Sequence, residues 1–251
     1  MRALLLAASL CAIALPHAVR AQEDEALPKQ QWSFSGPFGT FDRASAQRGF
    51  EVYQQVCSAC HSMKLAYYRN LEGIGFSAEQ VKAIAAGVQI PDIGPDGQPD
   101  TRPGLPSDHF KSPFPNDLAA KAANNGLVPP DQSVLEKARE GHADYIYDLV
   151  GLGYVNPPPG VSVLPGLYYN KYFPGHQIGM PPPLTDDRVT YADGTKATVA
   201  QEAHDVVTFL TYIANPEMEQ RKRTGVKAVI FLALLGGITY AVKRRVWADV
   251  H

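Results

Sequence analysis

The stretch QRGFEVYQQVCSACHS, residues 47–62, decides how this chain is read. It contains Cys57-Ser58-Ala59-Cys60-His61, and the third cysteine of the 251 residues is Cys11. Two thiols spaced C-x-x-C with a histidine directly after them fit the attachment site of a c-type haem. The spacing places both sulfurs along one edge of the porphyrin for thioether bonds to its vinyl groups. The next residue, His61, can turn its imidazole to the iron as an axial ligand. Other uses of the pair fit less well. A structural zinc site takes four ligands, and a second cysteine pair is missing. A thioredoxin-type dithiol needs a strand–turn–helix context, which these flanks lack. Upstream, Asp42 can cap a helix, and Phe50, Val52, Tyr53 and Val56 give that helix a broad apolar side. A helix over 42–61 is expected, with the cysteine motif at its C-terminal end.

Both ends of the chain differ from this central region. MRALLLAASLCAIALPHAVRA opens with Arg2, continues through the apolar run Leu4 to Leu15, and offers the small residues Val19 and Ala21 before a cleavage point. It reads as a secretory signal peptide over 1–21, too short for a comfortable membrane span. Its removal would take Cys11 away and leave an exported protein with Cys57 and Cys60 alone. At the other end, VKAVIFLALLGGITYAV (226–242) is a run of 17 residues with Lys227 as its one charge. At ~1.5 Å per residue it makes about 25 Å of helix. Arg221, Lys222 and Arg223 precede it, and Lys243, Arg244, Arg245 and Trp247 follow. This pattern predicts one transmembrane anchor with basic flanks over 221–245. Basic residues on both sides leave the positive-inside rule undecided. Export sets the expected orientation, with residues 22–220 outside in the periplasm and the tail 246–251 in the cytoplasm.

Charge and composition narrow the function classes. Apolar residues make up 45% of the chain and charged ones 19%, which excludes a disordered protein. A mean hydropathy of −0.18 excludes a multi-pass membrane protein. Gly and Pro, 21 of each, lie without a period and suggest a loop-rich globular domain. Residues 22–220 hold 14 basic and 24 acidic side chains, a net −10. Such a domain repels nucleic acid and steers basic partners.

A low-spin electron carrier needs a second axial ligand, usually Met or His. Met63 lies two residues from His61 and cannot reach the opposite face, and Met218 stands among charges at the membrane entrance. Met180 sits in YFPGHQIGMPPPL, where Gly179 permits close approach and Pro181 to Pro183 stiffen the loop behind it. Met180 is therefore the favoured ligand and His176 its rival, while His109, His142 and His204 read as ordinary polar residues.

The remaining pattern is mainly α. Residues 22–41 form an extended lead-in with Trp32, Phe34 and Phe38. SAEQVKAIAAGV (77–88) reads as a helix opened by a Ser77/Gln80 capping box. Residues 89–116 read as a long loop, LAAKAANNG (118–126) as a short helix ended by Gly126, and 132–154 as helical with a break near Gly141. A second capping box, Thr198/Gln201, opens a helix to about Ala214. Val199, Ala203, Val206, Val207, Leu210 and Ile213 mark its expected buried face. GLYYN and the turn YADGT (191–195) carry the best strand signals.

Several of these segments together resemble the cytochrome c1 family, the membrane-anchored c-type subunits of cytochrome bc1 complexes. They are residues 47–62, KAANNGLVPPD (121–131), GLYYNKYFPGHQIGMPPPL (166–184) and DGTKATVAQEAHDVVTFLTYIANPEMEQRKRTG (193–225). The signal peptide, long insertion and C-terminal anchor look like a bacterial member. The resemblance implies a class I cytochrome c-like core with long loop insertions plus one C-terminal transmembrane helix. It implies one covalent haem c, with thioethers at Cys57 and Cys60 and axial ligands His61 and Met180. It also implies a basic side chain at a haem propionate, a position that Lys121 holds here in place of the family's arginine. Lysine lacks the bidentate fork. Where the family reads PPDLS, this chain reads PPDQS (129–133), and it lacks the extra cysteine pair of some bacterial relatives.

Functionally, the resemblance implies the redox subunit of ubiquinol–cytochrome c oxidoreductase in the bacterial inner membrane. The implied partners are cytochrome b, the Rieske iron–sulfur protein as donor, a soluble cytochrome c or c2 as acceptor, and membrane lipid, in a dimeric complex. No nucleic acid partner is expected. A haem peroxidase or ligand sensor would need an open sixth site, against which Met180 argues. A free-standing anchored shuttle would not need the insertions at 62–130 and 140–175.

Overall fold

The computed structural model describes residues 26–249. The signal-peptide reading of 1–21, and the last two residues of the expected tail, lie outside them. Among the described residues the chain is mainly α, as expected, with two small two-stranded sheets.

Helix α1 spans Arg43–Gln55 and starts where Asp42 accepts a hydrogen bond from the Ser45 amide at 3.1 Å. It packs chiefly on α5, Val199–Ala214. Gly49 allows this crossing, because a side-chain carbon there would run into the Asp205 carbonyl. Phe50 and Tyr53 of α1 meet Phe209 of α5 at ring-centroid distances of 5.6 and 5.7 Å. Such pairs add about 0.5–1.5 kcal/mol each beyond the apolar area they bury. An ion pair crosses the same interface. The buried Asp205 accepts from Arg48 Nε (2.8 Å) and Nη2 (3.0 Å), from Ser45 Oγ (2.7 Å) and from Gln201 Nε2 (2.9 Å). With its carboxylate so fully bonded, the desolvation cost of the pair is offset.

One expectation for α5 needs correcting. The periodicity gives it a single buried face, yet Glu202 and every residue from Ala203 to Ala214 except His204 are buried. Packing on two sides is the reason. α1 lies on one side, and α4 (His142–Tyr147) with the π-helical turn Asp148–Leu152 lies on the other. Thr198 does cap α5 through the Gln201 amide, but the Gln201 side chain turns to Asp205 instead of closing a capping box.

Three other segments depart from expectation. α1 ends at Gln55, six residues short of His61, and the cysteine motif continues as a tighter 3₁₀ turn. Residues 89–116 contain an antiparallel hairpin, β1 (Gln89–Ile93) with β2 (Pro99–Pro103), where Gln89 pairs with Pro103 and Ile93 with Pro99. Its prolines hid it, but a two-stranded ribbon leaves outward positions that need no N–H. Within 132–154, α-helix is confined to α4, because Gly141 takes a left-handed φ of +83° and starts a new helix.

Other expectations match. α2 covers Ala78–Ala86 with the reciprocal Ser77/Gln80 capping box. α3 covers Asp117–Ala123 and is followed by Gly126 at φ +83°. GLYYN supplies β3 (Tyr168–Tyr169), which pairs with β4 (Gln177–Ile178). α6 runs from Met218 to Val246, 29 residues or about 44 Å at ~1.5 Å per residue. Its apolar stretch is long enough to cross a membrane, and none of it is buried against the rest of the chain.

Candidate functional site

The cysteine motif forms one tight turn. The amides of Cys60 and His61 both donate to the Cys57 carbonyl, at 3.1 and 2.9 Å, so three reactive side chains leave the backbone within a single coil. Cys57 and Cys60 form no disulfide. Burial pushes the Cys57 thiol up to about 12, against a hydrogen bond from the Gln132 side chain. A redox-active dithiol needs the opposite, a lowered pKa.

His61 is buried, and its Nδ1 lies 2.8 Å from the carbonyl oxygen of Pro130. A carbonyl only accepts, so Nδ1 carries the proton and Nε2 is left with its lone pair. Burial pulls the imidazole pKa below its ordinary value, which keeps the ring neutral. A neutral imidazole whose far nitrogen is held by a backbone carbonyl is the usual arrangement of a metal-ligating histidine.

The residues around Pro130 form a strap across this turn. Asp131 accepts from Ser62 Oγ (2.7 Å), the Lys64 amide (2.8 Å) and the Ser133 amide (2.9 Å). The Gln132 amide donates to Ser62 O at 2.8 Å, and Ser133 Oγ accepts from the Leu65 amide at 2.9 Å. Sequence reasoning missed this role, although the signal lay in PPD. Two prolines offer carbonyls with no competing N–H, and an aspartate follows to pin them. Gln132 reaches Cys57 but leaves a buried Oε1 that lacks a partner among the described residues.

Met180 follows β4. Its carbonyl accepts from Tyr154 Oη at 3.0 Å. The loop before it is self-bonded: the Asn170 amide donates to His176 O (3.0 Å) and the His176 amide to Phe173 O (2.7 Å). The buried Asn170 side chain also donates to Leu149 O at 2.8 Å. Gly179 backs directly onto Leu127, where a side-chain carbon would meet the leucine methyl. The Met180 loop and His61 thus both lean on one segment, 127–130. The rival His176 stacks on Tyr169 at 5.8 Å with its Nδ1 buried and unpartnered among the described residues. Met63 is fully buried in the core.

A cleft of about 850 Å³ opens beside Cys60, walled by Tyr67, His109, Lys111, Pro113 and Pro129. That volume lies in the range of cofactor sites. Lys121 is exposed and does not line it; Lys64 and Lys111 do. Of the candidate haem-binding residues Cys60 lines this cleft, whereas Cys57, His61 and Met180 do not. The two thiols and the imidazole nitrogen that Pro130 leaves free fit a covalently attached haem.

Fold and site define the class: a c-type cytochrome with a helix of membrane-spanning length at its C-terminus. The cytochrome c1 family model matches residues 32–250, and the chain belongs to that family. It is 46% identical to the cytochrome c1 of Rhodospirillum rubrum, covering 98% of this chain and 96% of that protein. It is 47% identical to the mitochondrial cytochrome c1 haem protein of Saccharomyces cerevisiae, covering 89% of this chain and 72% of that one. A Bradyrhizobium diazoefficiens protein named cytochrome b/c1 is 47% identical over 89% of this chain, which spans 36% of its length. Haem c is the family's cofactor, and its members are electron-transfer subunits of the bc1 complex.

Proposed function

We propose that this chain takes electrons from a Rieske iron–sulfur protein and passes them to a soluble c-type cytochrome, as the c1 subunit of a ubiquinol–cytochrome c oxidoreductase. The 2.8 Å contact of His61 Nδ1 with Pro130 O carries the reading, because it leaves the Nε2 lone pair of a neutral imidazole free next to the two thiols of the C-x-x-C-H turn. When bound, haem c supplies a one-electron iron couple. Cys57 and Cys60 would hold it covalently, and His61 and Met180 would bind its iron. The Pro129–Ser133 strap fixes His61 and the prolines after Met180 stiffen its loop, so both side chains would be held in place for the iron. Lys64 or Lys111, both lining the cleft, is better placed than Lys121 to meet a propionate. Residues 22–220 stand in the periplasm, 221–245 anchor them in the inner membrane beside cytochrome b, and 1–21 are removed on export. The acidic domain steers a basic soluble acceptor, an effect that salt screens.

The test is quinol-driven reduction of the c-type haem in native membranes, with and without an inhibitor that blocks delivery to the Rieske protein. Rapid reduction that the inhibitor abolishes is expected. Rapid reduction that survives it would overturn the complex assignment in favour of an independent anchored carrier.

A further inference from the structure

The loop Ser35–Thr40 and the first turns of α6 form a second built feature, separate from the Cys57–His61 turn. Glu219 accepts from the Phe41 amide and from Arg43 Nη2, both at 2.8 Å. One turn on, Lys222 Nζ donates to the carbonyls of Phe34 (2.6 Å) and Gly39 (3.1 Å). These bonds lock the loop to the helix. The loop is also stiff in itself. The Ser35 amide donates to Trp32 O at 3.0 Å and the Thr40 amide to Ser33 O at 3.1 Å. Gly36 takes a left-handed φ of +72°, and a side chain at Gly39 would strike the Ser35 carbonyl.

On this turn Phe38 is 80% exposed, while Trp32, Phe34 and Phe41 of the same segment are buried. One exposed apolar side chain is ordinary by itself. The level at which this one stands is not. Phe38 shares a hollow of about 130 Å³ with Arg223 and with Val226, the residue that opens the apolar run of α6. The ring therefore lies level with the start of the apolar run, beside the exposed Arg223, and Arg221 is exposed on the same turn of α6. Glu219, the acid in the hollow, is held at 2.8 Å by Arg43 and the Phe41 amide and more loosely, at 3.6 Å, by Arg223, whose side chain stays largely exposed.

We propose that the Ser35–Thr40 loop is a second membrane contact. Phe38 inserts at the acyl–headgroup boundary beside Val226, and Arg221 and Arg223 bind phospholipid phosphates around it. Aromatic and basic side chains are the groups that favour this zone. A single helix leaves its domain free to tilt and swivel. A second contact, rigidly clamped to that helix, fixes the height and tilt of the Cys57–His61 turn above the bilayer. The inference rests on α6 spanning the membrane.

The test is nitroxide labelling of the full chain in its complex, reconstituted in phospholipid vesicles. Labels go at Phe38→Cys, at Leu234→Cys within the apolar run, and at Gln98→Cys on the exposed hairpin turn. Collisions with oxygen, which concentrates in lipid, are compared with collisions with a water-soluble nickel chelate. The c-type absorbance of each variant checks that it is folded and loaded. The label at 38 should show an oxygen-to-nickel ratio several-fold above that at 98, approaching that at 234. A water-like ratio at 38 overturns the proposal, and so does an immobile label that neither reagent reaches, since a partner polypeptide then covers the loop. A water-like ratio at 234 would instead overturn the anchor reading on which the proposal rests.

Discussion

The imidazole Nδ1 of His61 lies 2.8 Å from the carbonyl oxygen of Pro130, a residue 69 positions away in the chain. That one bond sets the tautomer and direction of the ring. It is dependable because Asp131, the next residue, is tied to the segment after the turn through Ser62 and Lys64 and to its own strap through Ser133. The orientation of the candidate ligand is thus decided by a strap, which the Asp131 carboxylate pins together with the Gln132 amide and the Ser133 hydroxyl.

Asp131→Ala should therefore lower stability by about 2–3 kcal/mol, the usual scale for hydrogen bonds to a charged group. Burial pulls this carboxyl up, but the bonds from Ser133, Lys64 and Ser62 outweigh it and hold its pKa below the ordinary value. A lowered carboxylate pKa contributes stability that is complete above the unfolded-state value of ~3.9 and is lost as pH falls through the folded-state value. Unfolding curves of the two proteins should converge in acid, below pH ~4. A gap that persists there would assign the loss to packing.

Met180→Leu should leave the haem attached, because Cys57 and Cys60 are untouched, and a pyridine haemochrome spectrum checks this. Its reduced form should bind carbon monoxide. Its midpoint potential should fall by about 0.1 V or more, within the ~0.8 V range that axial ligands command. An unchanged potential with no carbon monoxide binding would transfer the ligand role, with His176 the first candidate.

Gly49→Ala places a carbon against the Asp205 backbone at the α1–α5 crossing. Backbone cannot yield as a flexible side chain can, so the helices must separate. A loss of about 3 kcal/mol or more is expected, at the upper end of overpacking costs. Thermal unfolding and the yield of haem-loaded protein measure it. Gly179→Ala should cost less, since the atom it meets is a terminal methyl of Leu127.

Asp148 is fully buried, and both its oxygens lack hydrogen-bond partners among the described residues. Burial, helped by the charge of Asp144 and opposed by Lys171, pushes its pKa up to about 6. A raised carboxyl pKa makes the folded state bind the proton more tightly, so stability falls as pH rises from ~4 toward ~6 and the penalty is constant above that. Asp148→Asn should remove this slope and raise stability at pH ~7.5 by about 1–2 kcal/mol. Denaturant titrations at several pH values decide it, and an unaltered slope would clear Asp148 of the effect.

Features governed by neighbours in the chain were legible from the residues themselves. The Ser77/Gln80 capping box, the Gly126 stop and the apolar run each follow from residues close in the chain, and the structure places each accordingly, whereas the Cys57–His61 motif, read from the same kind of spacing, stands on a 3₁₀ turn beyond the end of α1. The β1–β2 hairpin was illegible because its prolines erase the alternation that marks a strand. The all-round burial of α5 was illegible because a helix pattern shows which residues can be buried, not how many neighbours will cover them.

The sequence by itself determined the chemistry this chain can do: two thiols and an imidazole in one turn, a methionine between glycine and prolines, and an apolar helix at the end. Only the tertiary structure decided how that chemistry is held. Pro130 reaches His61, Leu127 receives Gly179, and Glu219 and Lys222 clamp the lead-in that carries Phe38. The division has a physical reason. Reactivity belongs to side-chain types and their local spacing, whereas the direction of a lone pair or the height of a loop follows from hydrogen bonds between segments that meet only when the core closes.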